Sequence, residues 1–173
     1  MEIDYLKARG YLKPLEREAL YQLAGEIGVS DQKVMVNIGV EYGASLACLR
    51  AGNPKATIYG VDVNIKKAVS RYGCKLIEVD SGQLVHEWQD EIDLLFVDGD
   101  HSYEGVKRDI EWAKLIREDG LVIFHDCFDW DDPSQVHRIC PGVNVAVGEW
   151  FESQVDFVEL DPVWTMRIFQ RIT

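Results

Sequence analysis

Five short apolar runs, each closing on a glycine or an acid, constrain this chain more than any other feature. They are "KVMVNIG", "ATIYGVDV", "CKLIEVD", "IDLLFVDGD" and "LVIFHD". None alternates strictly between apolar and polar residues, so each reads as a strand buried on both faces, as in a parallel sheet. Helical stretches separate several of them, one from about Ala44 to Ala51. Another is "SYEGVKRDIEWAKLIREDG", with Val106, Ile110, Ala113 and Ile116 at helical spacing, Ser102 as a cap and Gly120 as a stop. Right-handed strand–helix–strand crossovers then wind the sheet in both directions. In the tail, "VDFVEL" and "WTMRIFQRI" lie too close together for a crossover helix and should pair antiparallel at the sheet edge. The expected fold is α/β: a doubly wound, mostly parallel seven-stranded sheet with an antiparallel terminal hairpin. It forms one domain over residues 1–173, with an N-terminal helical segment at 1–32 and the core at 33–173. In that first segment Leu15, Ala19, Leu20, Leu23 and Ile27 share a helical face, started by Pro14 and stopped by Gly28.

A formal charge of −12 argues against a nucleic-acid partner, which needs clustered Lys and Arg. It suits a neutral or cationic small-molecule substrate. Cys48, Cys74, Cys127 and Cys140 form no CxxC pair and read as reduced thiols. The charged N-terminus lacks a signal-peptide core, and no apolar stretch reaches the ~18 residues of a membrane span. The expectation is a cytoplasmic protein with no membrane partner.

In a doubly wound sheet, ligands bind outside the carboxyl ends of the strands. The first such end is "NIGVEYGAS". A dinucleotide fingerprint would place a glycine where Glu41 stands, between Gly39 and Gly43. A carboxylate there would repel a pyrophosphate but tolerate a cofactor with a sulfonium and no phosphate, which points to S-adenosyl-L-methionine over a nicotinamide dinucleotide. Asp62 follows the second run at the spacing where an acid meets ribose hydroxyls, and Asp80 and Ser81 close the third, where they could meet the adenine edge. Read as structure alone, the two glycines would simply make a turn.

The segments "NIGVEYGAS" and "DLLFVDGDHSYEGVKRD…GLVIFHD" resemble the S-adenosylmethionine-dependent methyltransferases of the Rossmann-like class, in particular a small branch with a long acidic second motif. The resemblance spans about residues 33–171. It implies cofactor contacts from Asn37, Gly39, Glu41, Gly43, Ser45, Asp62, Asp80, Ser81 and Asp98. It also implies an acid where this chain has Asn37, which keeps the hydrogen bonding and loses a charge.

Asp98 follows the fourth run and Asp126 the fifth, one crossover apart, so both carboxylates reach the same edge of neighbouring strands. Such a pair can hold Mg²⁺. In metal-dependent O-methyltransferases of similar fold the next residue commonly adds a ligand. Here it is Cys127, a poor Mg²⁺ ligand, with Asp129, Asp131 and Asp132 as substitutes. His101 is placed to take a proton from an acceptor, with Asp98 beside it, or else to fix its loop. Asp100 reads as a turn cap, His125 as part of the wall, and Phe128 and Trp130 as either substrate wall or solvated loop. The reading is methylation, most simply O-methylation, of a small molecule. A non-catalytic S-adenosylmethionine-binding regulator is the alternative. So short a chain leaves little room for a cap over the acceptor, so loops or a second subunit of a homo-oligomer would set specificity.

Overall fold

The computed structural model describes residues 3–66 and 72–173. The strands are β1 (Val34–Ile38), β2 (Thr57–Asp62), β3 (Lys75–Glu78), β4 (Ile92–Val97), β5 (Ile116–Phe124), β6 (Phe157–Glu159) and β7 (Arg167–Arg171). The helices are α1 (Pro14–Glu26), α2 (Ala44–Gly52), α3 (Ser81–Leu84), α4 (Tyr103–Ile110) and α5 (Pro141–Glu152). The seven strands lie in the order β3-β2-β1-β4-β5-β7-β6. β1 to β5 run parallel, while β7 pairs antiparallel with both β5 and β6. This is the expected fold class. Successive strand residues face opposite layers. Met35, Leu94, Phe96 and Ile123 join α1 and α2 in one core, and Val36, Leu95, Val97 and Val122 join α4 and α5 in the other. Winding reverses between β1 and β4, so the turns after those two strands open the crevice.

Three local expectations are corrected. Helix α4 ends at Ile110 and passes through a 3-10 turn, Glu111–Leu115, and Ile116 begins β5 opposite Ile92. Gly120 therefore stops no helix. It sits in β5, where an added Cβ would meet Ile116 Cγ2 at 2.7 Å, next to Asp119 at φ 63 and a register shift against β4. On α1, Leu20 is buried and Ala19, Leu23 and Ile27 pack against the core as expected, but Leu15 is exposed and Glu16, Arg17 and Ala24 are buried as well. Arg17 overrides the apolar pattern because its guanidinium donates to the carbonyls of Leu12, Tyr5, Ala8 and Gly10, folding the N-terminal segment around itself. Helix α5, between β5 and the hairpin, was missed. Its signal was Pro141 at the first turn followed by Val143, Ala146, Val147 and Trp150 at helical spacing. Among the described residues no helix is long and apolar enough to cross a membrane.

Candidate active site

The loop after β1 makes its turn with three left-handed residues, Gly39 (φ 80), Glu41 (φ 46) and Gly43 (φ 87), the last capping α2. Gly39 is dictated by contact as well as by φ. A Cβ there would lie 1.9 Å from the carbonyl oxygen of Asp98, so the β1 and β4 turns touch backbone to backbone. Asn37 is fully buried. Its Nδ2 donates to the Gly39 carbonyl at 2.8 Å, a bond an ionised acid could not make, and its Oδ1 has no protein partner. Asp62 closes the turn from β2, with Oδ2 accepting from the amides of Val40 (2.7 Å) and Glu41 (3.1 Å) and Oδ1 from Asn64 (2.9 Å). Glu41 is ion-paired with Lys66, whose ammonium also lies 3.7 Å above the Tyr42 ring. The charge invoked against a pyrophosphate is thus largely balanced, and that electrostatic argument is weaker than the sequence suggested.

Two clefts meet at this turn. One, of about 420 Å³, runs past Ile38, Val61 and Asp62 to Asp80, Ser81, Arg108 and Asp109. The other, of about 450 Å³, is walled by Tyr11, Tyr42, Trp130 and Ile139 and floored by His101, His125 and Asp126. Gly39, Glu41, Asp98 and Gly99 line both. Asp80 caps α3 through Gln83 N, and Ser81 Oγ donates to Asp109 Oδ1. Ser45 is buried in the first turn of α2 and lines the second cleft.

The floor of the second cleft is a cluster of carboxyl and imidazole groups. Asp98 Oδ1 lies 3.1 Å from both His101 Nε2 and His125 Nδ1. Asp126 Oδ1 lies 3.3 Å from His125 Nδ1 and accepts from Trp130 Nε1 at 2.7 Å, while its Oδ2 is 3.6 Å from His101 Nε2. On the far side of the His125 ring, Nε2 is 3.2 Å from Glu16 Oε2. Burial resists charging His125, but three carboxylates outweigh it and raise its pKa well above the ordinary value. Burial likewise opposes ionising Asp98, and the two imidazoles overcome it and hold the carboxyl at about 2. His101 is raised by its hydrogen bond to Asp98, against burial.

Asp98, His101 and Asp126 offer ligand atoms that lie within 4.8 Å of one another. Two carboxylates and an imidazole suit Mg²⁺ or Mn²⁺. The third member is therefore His101, where sequence reasoning looked to Asp129, Asp131 or Asp132. Asp129 is instead held by Arg138, at 2.6 Å from Nε, and Asp131 shares that guanidinium at 3.1 Å. Cys127 is buried with its thiol 3.5 Å from the Phe124 carbonyl, and burial pushes the thiol up to about 12. Phe128 packs into the α5-side core, so only Trp130 of that aromatic pair faces the cleft. Asp100 caps its turn through Ser102 N at 2.9 Å, as expected. His125 is more than wall, since it bridges the two aspartates. Glu16 and Asp109 were missed altogether. Both lie on helices beside other charged residues, and only tertiary packing brings them to the site.

A methyltransferase-domain family model matches residues 36–127, more than half of the chain. No curated protein matches it. Among solved structures, the MycE methyltransferase of the mycinamycin biosynthetic pathway, in complex with Mg, SAH and mycinamycin VI, is similar at 17% identity and a TM-score of 0.71. That alignment covers 97% of this chain and 52% of that one. The O-methyltransferase from Bacillus cereus in complex with SAH is 16% identical, with a TM-score of 0.71 and coverage of 94% and 83%. The SAH-bound methyltransferase of Podospora anserina is 17% identical, with a TM-score of 0.72 and coverage of 94% and 80%. At these identities the likeness is one of fold, and the chain spans about half the length of MycE. The family model covers the strand ends of β1, β2, β3, β4 and β5 that build both clefts, and this chain belongs to the methyltransferase domain family.

Proposed function

We propose that the protein transfers the methyl group of S-adenosyl-L-methionine to a hydroxyl of a small molecule. The observation that carries this reading is the meeting of two clefts at Gly39 and Asp98, one running along the glycine turn and one floored by ionised acids and imidazoles. The cofactor would lie in the first cleft over Gly39 and Asp62, while Asn37 and Gly43, which line neither cleft, would shape the turn from behind. Transfer is then a matter of holding the acceptor oxygen in line with the methyl group and removing its proton. Asp98 takes the Nε2–H of His101. That leaves the Nδ1 lone pair, only 3.6 Å from the weakly bonding Cys140 Sγ, as the atom that accepts the proton. Where Asp98, Asp126 and His101 instead hold a divalent ion, His101 is a ligand rather than the base, and the ion would lower the pKa of a bound hydroxyl and orient it. Residues 1–32 belong to the same working unit, as the contact of Glu16 with His125 supports. Tyr11 and Ile139, 77% and 75% exposed, leave one wall of the acceptor cleft open, so a second copy of the chain in a homo-oligomer would complete it.

Calorimetric titration with S-adenosylhomocysteine, followed by turnover against a panel of hydroxylated acceptors, tests the reading. Binding plus turnover is expected, with activity lost in chelator and restored by Mg²⁺ or Mn²⁺. Asp126→Asn should lower kcat and leave cofactor affinity nearly unchanged. Absence of binding heat would overturn the assignment. Binding without any turnover would leave a cofactor-binding regulator, and turnover unaffected by chelator would remove the metal.

A further inference from the structure

We infer that His137 is a positioning residue of the acceptor cleft: its Nδ1 pins Ile139 and Cys140 into the wall and so fixes what stands against His101. This inference rests on the methyltransferase reading above, which gives the second cleft to the acceptor. The wall is built by the segment between β5 and α5. That segment meets the cleft at Trp130, doubles back with Phe128 bridged to Val136, and returns to the cleft at Ile139 and Cys140, just ahead of α5.

His137 is 1% exposed, although it lines neither cleft. Its Nδ1 accepts from the amides of Ile139 at 3.1 Å and Cys140 at 2.9 Å, and these amides have no other acceptor among the described residues. Its ring meets that of Trp130 edge-on, with centroids 4.7 Å apart. His137 thus joins the two arms of the segment, and each arm touches one group of the floor. Trp130 Nε1 donates to Asp126 Oδ1 at 2.7 Å, and Cys140 Sγ lies 3.6 Å from His101 Nδ1. A ring nitrogen that accepts from amides carries no hydrogen, so the hydrogen of the imidazole is on Nε2, which is buried without a partner. An unpaired buried donor is unfavourable. What the ring does for the segment is therefore done by Nδ1 and by the contact with Trp130. Ile139 shows the effect: its side chain is 75% exposed, yet its amide is tied to a buried acceptor. The Phe128–Val136 bridge and the Asp129–Arg138 ion pair hold the tip of the segment, so losing Nδ1 frees Ile139 and Cys140 locally and leaves the rest in place. An in-line transfer tolerates little displacement of the acceptor, so a wall that shifts there costs rate. No residue of this segment lines the first cleft, and cofactor binding should not respond.

The test uses the whole protein and three measurements. Hydrogen exchange of the wild type should find the amides of Ile139 and Cys140 protected at least about tenfold over an unstructured peptide of the same sequence. Free exchange at both would overturn the inference without any variant. Alkylation by iodoacetamide, read at Cys140 by peptide mass spectrometry, should be several-fold faster in His137→Leu, which keeps bulk but has no acceptor. It should stay near the wild-type rate in His137→Asn, whose Oδ1 accepts from amides shortly ahead of it in the chain. The buried Cys48 and Cys127 report on the intact fold in the same digest, and His137→Ala replaces His137→Leu if the latter does not fold. Calorimetric titration with S-adenosylhomocysteine should give one affinity for all of these proteins. A Cys140 rate unchanged in His137→Leu, equal acceleration in His137→Asn, or a loss of S-adenosylhomocysteine affinity in His137→Leu would overturn this inference alone. No binding of S-adenosylhomocysteine to the wild-type protein would overturn the methyltransferase reading, and the role of His137 in it, whatever the alkylation shows.

Discussion

At the scale of one residue, a single buried carboxyl shows what the burial of charge costs. Asp109 has its pKa raised to about 6, chiefly by burial, with the Ser81 bond opposing the shift. A carboxyl whose folded pKa lies above its unfolded value binds its proton more tightly when folded. It therefore favours the fold most below pH 4 or so, progressively less up to about pH 6, and then levels off. A shift of about two units corresponds to roughly 3 kcal/mol. Asp109→Asn removes the titration and should raise stability at pH 8 by about 1–3 kcal/mol, with little change at pH 4. Denaturant titrations at the two pH values measure this. An Asn variant no more stable than wild type at pH 8 would show that burial of the charge is not the controlling effect. Nothing in "YEGVKRDI" marks Asp109, because on a helix it reads as one of several solvated charges. Its burial depends on α3 folding across it.

At the scale of elements, the turn after β1 combines a conformational demand with a spatial one. Gly39 and Gly43 both have positive φ, but only Gly39 abuts the β4 turn. Gly43→Ala should then cost about 1–2 kcal/mol for backbone strain alone. Gly39→Ala should cost more than about 4 kcal/mol, since a methyl group 1.9 Å from the Asp98 carbonyl must force the two turns apart. Thermal unfolding of the two variants, with S-adenosylhomocysteine titration of each, distinguishes these demands. Equal costs would mean that the contact relaxes without consequence. Both glycines were legible in the sequence as turn formers. That one of them also touches the neighbouring strand end was not, because the contact spans β1 to β4.

Across the whole molecule, both ends of the chain converge beneath the acid cluster. Glu16 from α1 accepts from Thr165 Oγ1 at 2.5 Å and Thr165 N at 3.3 Å, just ahead of β7. It also accepts from Lys13 N at 2.8 Å and faces His125 Nε2 at 3.2 Å. The charge on His125 thus depends on a helix and a hairpin outside the span of residues 36–127. Thr165→Val should cost about 1–3 kcal/mol by leaving a buried carboxylate short of a donor. Glu16→Leu should cost about 3–5 kcal/mol, because it leaves a buried imidazolium with carboxylates on one side only. Chemical denaturation of the two variants checks the order, and a smaller loss in Glu16→Leu than in Thr165→Val would contradict it.

By itself the sequence determined the parallel sheet, the terminal hairpin and the glycine turn, and it marked Asp98, His101 and Asp126. Each of these is written in a short window: an apolar run with an acid or a glycine at its end. Period and spacing carry that information locally. Tertiary structure alone decided the rest. It ended α4 early, turned Gly120 into a strand residue and buried Arg17 among carbonyls. It made His101 rather than Asp129 the companion of the two aspartates, and it brought Glu16 and Asp109 to the site. Those outcomes depend on which distant groups meet, and a polar residue's burial is set by the partner it finds rather than by its neighbours in the chain.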